Sequence, residues 1–405
     1  MTRQVLWNRR MFLQRLGYFS GVGAVAARTP WSFFKNPRPL HELQSAGDRT
    51  GPLFAYVGDS EHGIQVFTVE ESGWKLSQTI ACDKPSCVAP HPSRKFMYAA
   101  NEIDEYEGLP RGTVEAYNID ARDGRLTLLN RQPLSLSATA PRYLTVSPDG
   151  SSLIVAVHGG GSYNVLPIRT DGFLEPVSGI LKQVGSGLVP GRQNTSHPQM
   201  VLFDTTQHRL LSADLGSDSL NVFALAEGRL IVAHRRGTEP GSGPRLLALH
   251  PSGRVLYVMN ELDASISCFR YDAARGRILD RLHHQPLDTA ASLKTAVTTT
   301  MAMHPSGSFL VTSCSRSSAG NSANSRLAVW RIHPATGRLD LIQESNRWIN
   351  SSYIESMVLA HNALFILSQT DGILRVDLDP TSGLLGDAVQ VAKVSAPKSM
   401  VLQYL

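Results

Sequence analysis

A turn that returns about every fifty residues, strand-forming segments on both sides of each turn, and a lone strand-forming tail at the carboxyl end together predict an all-β fold. The expected architecture is a seven-bladed β-propeller closed by the C-terminal strand joining the N-terminal blade. The turns begin at His91, Ser147, Phe203, His250, His304 and Ala360, in steps of 56, 56, 47, 54 and 56 residues.

One module shows the unit in full, between Gly241 and Asp272. Leu246, Ala248 and His250 alternate into a first strand, Pro251-Ser252-Gly253 turns the chain, residues 255–259 form a second strand and 265–271 a third. Second strands follow the other turns at 96–100, 153–157, 210–213, 309–313 and 364–368, and third strands at 114–119, 164–168, 220–224, 327–332 and 373–378. The first module is incomplete: 53–58 and 63–69 match a second and a third strand with no first. Residues 400–404 match a first strand with nothing after it, so the tail is expected to enter the N-terminal module as its innermost strand and leave no open sheet edge.

A composition of 42% hydrophobic and 18% charged residues over 405 positions is that of a soluble globular protein. The net charge of +5 is local: Arg3, Arg9, Arg10 and Arg15 fall in an N-terminal stretch without acids, and the rest of the chain is within one charge of neutrality. No basic tract remains for a nucleic acid backbone. Asn8-Arg9-Arg10-Met11-Phe12-Leu13 resembles a twin-arginine export motif, and the apolar run after it is too short for a stable membrane span. The expected organisation is a signal peptide over 1–27, a Pro- and Ser-rich linker over 28–51 and the propeller over 52–405, in a periplasmic or secreted protein. Four cysteines are too few for a disulfide scaffold; Cys82 and Cys87 could pair in an oxidising compartment or remain buried thiols.

In an antiparallel pair, a residue before the first strand and one after the second fall at the same sheet edge. Arg245 and Glu261 stand in that relation, His197 opens the preceding module and Arg316 ends the second strand of the following one. All four are expected at one mouth of a central channel. His91, His250 and His304 recur at equivalent turn positions and are expected to bond turn backbone, and His283-His284 is expected in a solvated loop. Two longer loops interrupt the repeat, an acidic one over 102–107 and a Gly-rich one between Ile180 and Asn194.

At this point the chain resembles the seven-bladed lactonases, a family that includes bacterial propeller-type 6-phosphogluconolactonases and the fungal 3-carboxy-cis,cis-muconate cycloisomerase. The resemblance rests on Gly159-Gly160-Gly161-Ser162 with Val165-Leu166-Pro167-Ile168, on 212–218, on Gly243-Pro244-Arg245 and on 257–262, and it covers nearly all the chain after Gly51. It implies His197, Arg245, Glu261 and Arg316 as site residues. Gln199 stands where the family has a second His, Leu246 follows Arg245 in place of His, Ser315 precedes Arg316 in place of Asn, and Thr300 replaces a frequent Glu.

These groups suit opening of a lactone, with Glu261 or His197 as base and the other as proton donor, and Arg245 and Arg316 holding an anion. The same set could run a muconate-type cycloisomerisation. No nucleophile elbow and no metal-ligand cluster appears, so neither metal nor other cofactor is expected. An exported enzyme would rarely meet a cytoplasmic phosphorylated lactone, so a non-phosphorylated sugar lactone or an aromatic-derived lactone stands equally as substrate, and the expected partner is a small-molecule lactone or anionic sugar derivative. The substitutions at 199 and 315 keep open a non-catalytic ligand- or protein-binding propeller.

Overall fold

Second strands in this chain are buried on both faces, which a sheet wedged between two others requires. Along Phe96–Asn101 every residue is buried, and with the two-residue period of a strand Met97 and Ala99 face one apolar cluster while Tyr98 and Ala100 face another. The computed structural model describes residues 51–70, 73–287, 296–317, 323–348 and 353–405. Among these, the strands form seven four-stranded antiparallel sheets, and seven apolar clusters each lie between consecutive sheets. Burial of aliphatic and aromatic side chains at these junctions, about 1.5–3 kcal/mol for each fully covered one, supplies the main stabilisation.

Blade 1 runs outward as Pro397–Tyr404, Leu53–Asp59, Gly63–Glu70 and Gly73–Ile80. Blades 2 to 7 each take four consecutive strands, opening at Pro85, Pro141, Pro198, Pro244, Ala296 and Ile354. First strands of neighbouring blades touch around the whole ring, so they surround the axis. The expected closure is present: Leu53 pairs with Tyr404, and the ladder continues to Gly58 opposite Ser399.

In three blades the turn between first and second strands couples the blade to the next. In His250-Pro251-Ser252-Gly253, His250 Nδ1 accepts the Ser252 N–H at 3.1 Å, which leaves Nε2–H to donate to the Gly307 carbonyl of the following blade at 3.1 Å. His91 repeats this with Ser93 and Gly150, and His304 with Ser306 and the Asn362 side chain. Gly307 has φ +75°, and a Cβ there would lie 2.5 Å from His250 Nε2, so the glycine is needed for both conformation and approach.

Three sequence expectations change or are resolved here. His283 and His284 belong to the ten-residue outer strand Arg277–Pro286, not to a loop, and His284 bonds Ser267 Oγ at 2.9 Å. Cys82 and Cys87 are both free thiols, packed into the clusters on opposite faces of blade 2. Residues 1–50, with the expected signal peptide and all but the last residue of the linker, lie outside the described residues. Among the described residues no helix is long and apolar enough to cross a membrane.

Candidate active site

The first strand of every blade carries one extra residue in its first half. Pairing with the second strand skips Ser86, Arg142, Gln199, Arg245, Thr299, Glu355 and Lys398, one in each blade. Such a bulge bends the strand and re-aims the extra side chain. Glu102, His158, Glu261 and Gln369 follow the last paired residue of their second strands, so they share this edge of the ring with the bulges.

Arg245 therefore lies inside the strand Pro244–Leu249, not ahead of it, and it meets Glu261 as expected: Nη1 donates to Oε2 at 2.9 Å. The second oxygen of Glu261 accepts from Arg192, which comes from the Gly-rich loop of blade 3 and is half exposed. A carboxylate between two guanidiniums serves as their anchor. Burial opposes the Arg245 charge, but Glu261, Tyr353 and Glu355 more than offset it and raise its pKa. Tyr353 and Glu355 belong to blade 7, so groups from separate blades interact here. Glu355 is itself held by Lys398 at 2.7 Å, and Arg142 by Glu102 at 3.1 Å.

His197 is positioned from its backbone outward. Asp214, fully buried at the end of its strand, accepts the His197 N–H at 2.7 Å and also bonds Ser196. Gly216 lets the loop lie on this turn, since a Cβ would come 1.8 Å from the Thr195 carbonyl and 2.8 Å from the imidazole. His197 Nδ1 lies 3.0 Å from the carbonyl oxygen of His158 and donates to it, so Nε2 carries the lone pair. The two imidazoles stack with centroids 4.5 Å apart. His158 Nδ1 accepts from the Gln199 amide at 2.6 Å. Burial, reinforced by Arg142, His197, Arg192 and Arg245, lowers the His158 pKa to about 3, so that ring stays neutral.

His197, Arg245 and Glu261 thus fall at one edge, linked through His158, Arg192 and their shared electrostatics. Arg316 is at the same edge of blade 6, with its backbone opposite Ala296 and Asn324; its side chain lies outside what is described. The bulge of that blade is at Thr299, one residue before Thr300, and a glutamate occupies the matching position one blade on, Glu355. Sequence reasoning missed Arg142, His158, Arg192, Glu355 and Lys398. Placing each blade in register would have found four of them; Arg192 belongs to no repeat position, and only its place in an over-long loop marked it.

The profile described as "Lactonase, 7-bladed beta-propeller" matches residues 54–403. The chain belongs to this lactonase family. A 6-phosphogluconolactonase of Bacillus subtilis (strain 168) is 28% identical over 229 residues, 56% of this chain and 63% of that protein, so the match spans less than two thirds of it. A probable 6-phosphogluconolactonase of Arthroderma benhamiae is 26% identical over 361 residues, covering 85% of this chain and 88% of that one. Among solved structures, a putative 6-phosphogluconolactonase of Bacteroides fragilis superposes with a TM-score of 0.77 at 25% identity, covering 89% of this chain and all of that one. A periplasmic gluconolactonase of Pseudomonas aeruginosa gives 0.75 at 24% identity over 86% and 99% of the two chains, a likeness of fold. Membership in the lactonases accounts for the glycines of the resemblance: Gly161 and Gly216 both pack against the 195–197 segment that presents His197.

Proposed function

We propose that this chain is an exported lactone hydrolase acting at the axial mouth where His197, Arg245 and Glu261 gather. The observation that carries the reading is the His197 tautomer: with Nδ1–H spent on a backbone carbonyl, Nε2 presents its lone pair beside an arginine-lined rim, 3.4 Å from the exposed Thr195 hydroxyl, and takes the proton of a water that displaces this long contact. Water attacks the lactone carbonyl as His197 Nε2 takes its proton. Arg245 stabilises the developing oxyanion, the ring C–O bond breaks, and the imidazolium returns the proton to the departing alkoxide. Glu261 holds Arg192 and Arg245 in place, in revision of its expected part as base. Arg316 remains a candidate for the anion end of the substrate.

Rim charge supports a choice of substrate. Arg142, Arg192, Arg245 and Lys398 face Glu102, Glu261 and Glu355, which leaves these described groups with a single excess positive charge. A neutral or singly charged sugar lactone fits that balance better than a phosphate dianion does, and it fits export through the twin-arginine-like leader. The test is lactone hydrolysis followed by acid release. Glucono-1,5-lactone should exceed its 6-phospho analogue in kcat/KM, and His197→Gln should lower kcat by about 10²–10⁴ with the fold kept. A panel of lactones and unsaturated dicarboxylates that is bound, as seen by a raised Tm, but never turned over would replace the hydrolase with a binding propeller.

A further inference from the structure

One polar atom at the rim has no part in the proton transfers between water, His197 and alkoxide: Nε2 of His158. Its residue stands just past the strand Ser152–Val157, in a hairpin that glycines seat closely on the chain before the first strand of the blade. A Cβ on Gly159 would lie 2.2 Å from the Thr139 hydroxyl, and one on Gly160 2.1 Å from the Ser137 carbonyl oxygen. Backbone bonds from His158 to Ala140 at 3.2 Å and from Gly159 to Thr139 at 3.0 Å hold the hairpin there.

Gln199 decides where the proton of this ring sits. Its amide nitrogen lies 2.6 Å from His158 Nδ1 and 3.4 Å from the His197 carbonyl oxygen. A carbonyl only accepts, so the amide turns its N–H groups to both, Nδ1 accepts, and the one ring proton is on Nε2. That Nε2–H has no partner among the described residues, and the half-buried ring leaves it in reach of solvent.

His197 is wired the other way. Its Nδ1–H is bonded to the His158 carbonyl, so its Nε2 lone pair is on the far side of its ring from that main chain. Nε2 of His158 is likewise on the far side of its own ring. With centroids 4.5 Å apart and planes 23° from parallel, the stacked pair turns a lone pair and an N–H away from the same stretch of backbone. Burial, with the positive charges of Arg142, His197, Arg192 and Arg245, keeps the His158 ring from taking a second proton.

We propose that His158 is a catalytic residue whose Nε2–H donates to the lactone carbonyl oxygen as the oxyanion forms, with Gln199 as the positioning residue that keeps the proton on Nε2. This rests on the lactone-hydrolase reading and gives the oxyanion a second donor beside Arg245. His158 keeps its proton throughout, because the proton of water goes to His197 and then to the departing alkoxide. The glutamine standing in place of the family's second His then serves the site and is no sign of its loss.

Nitrogen-15 NMR of the full chain labelled at histidine, read above neutral pH, should show His158 protonated at Nε2 and not at Nδ1. Gln199→Glu sets an acceptor against Nδ1 and should reverse this, lowering kcat about tenfold or more. With glucono-1,5-lactone, His158→Phe keeps a stacked ring without the N–H and should lower kcat about 100-fold with KM within about threefold. His158→Gln, whose amide N–H can take the place of Nε2–H, should bring kcat back to within about tenfold of the parent protein. Glucono-1,5-lactam is the uncleaved probe, and its binding should move the His158 Nε2–H resonance. A parent His158 protonated at Nδ1, an unchanged kcat in folded His158→Phe, or a loss confined to KM overturns the proposal. If His158→Phe fails to fold, Gln199→Glu and the lactam titration carry the test. If the parent turns over no lactone, the hydrolase reading falls and the titration decides: a stationary His158 resonance overturns the proposal, and a moving one keeps His158 as the carbonyl-binding group.

Discussion

Histidines occupy both edges of this propeller, and the two sets are wired in different ways. At the turn edge His91, His250 and His304 repeat one arrangement, with Nδ1 on their own turn and Nε2 on the turn of the next blade. At the opposite edge His158 and His197 stack on each other, and neither has a counterpart at its register position in the other blades described. Repetition marks what holds the ring together, because every junction poses the same packing problem. Departure from it marks chemistry, because a substrate needs its contacts in one place only.

Variants that strike one edge and spare the other break or sharpen this contrast. The largest effect expected in the pair is at the rim: Glu261→Gln frees Arg192 and weakens the hold on Arg245, and kcat/KM for the best lactone should fall about 100-fold, or about 2.7 kcal/mol. Stopped-flow acid release measures it, and an unchanged rate would return Glu261 to a structural part alone. Next comes His250→Ala at the turn edge, which removes the bond between blades 5 and 6. Urea unfolding should show about 1–2 kcal/mol less stability, with lactone turnover within twofold of the parent protein. A loss of turnover without loss of stability would erase the distinction between the edges.

The smallest effect is in acid. The native His158 pKa of about 3 lies below the ordinary value of 6.5. Between those values the unfolded chain takes up a proton that the native chain refuses, so this contribution is complete above pH 6.5 and is lost as pH falls toward 3. About 1 kcal/mol should be gone near pH 5.5. His158→Gln should flatten the dependence of urea midpoint on pH over that window, and a slope unaltered by the variant would mean that His158 titrates normally.

Much of the ring was legible in the chain because strand period, turn chemistry and a fifty-residue repeat are local signals. The orphan tail at 400–404 even disclosed how the ring closes. The site was legible in part. Arg245 and Glu261 are sixteen positions apart across one hairpin, so antiparallel pairing brought them together on paper. His197 was placed at the mouth by its position at the start of a module, and the family resemblance then implied it as a site residue.

By itself the sequence determined the β-strand period, the count of repeats and the need for the two chain ends to pair, since these follow from local alternation and from the instability of exposed edges. Only the tertiary structure decided that Cys82 and Cys87 face opposite junctions and that an arginine from an irregular loop completes the Glu261 clamp. Those outcomes depend on distances between separate blades, and pairing register along a single blade carries no record of them.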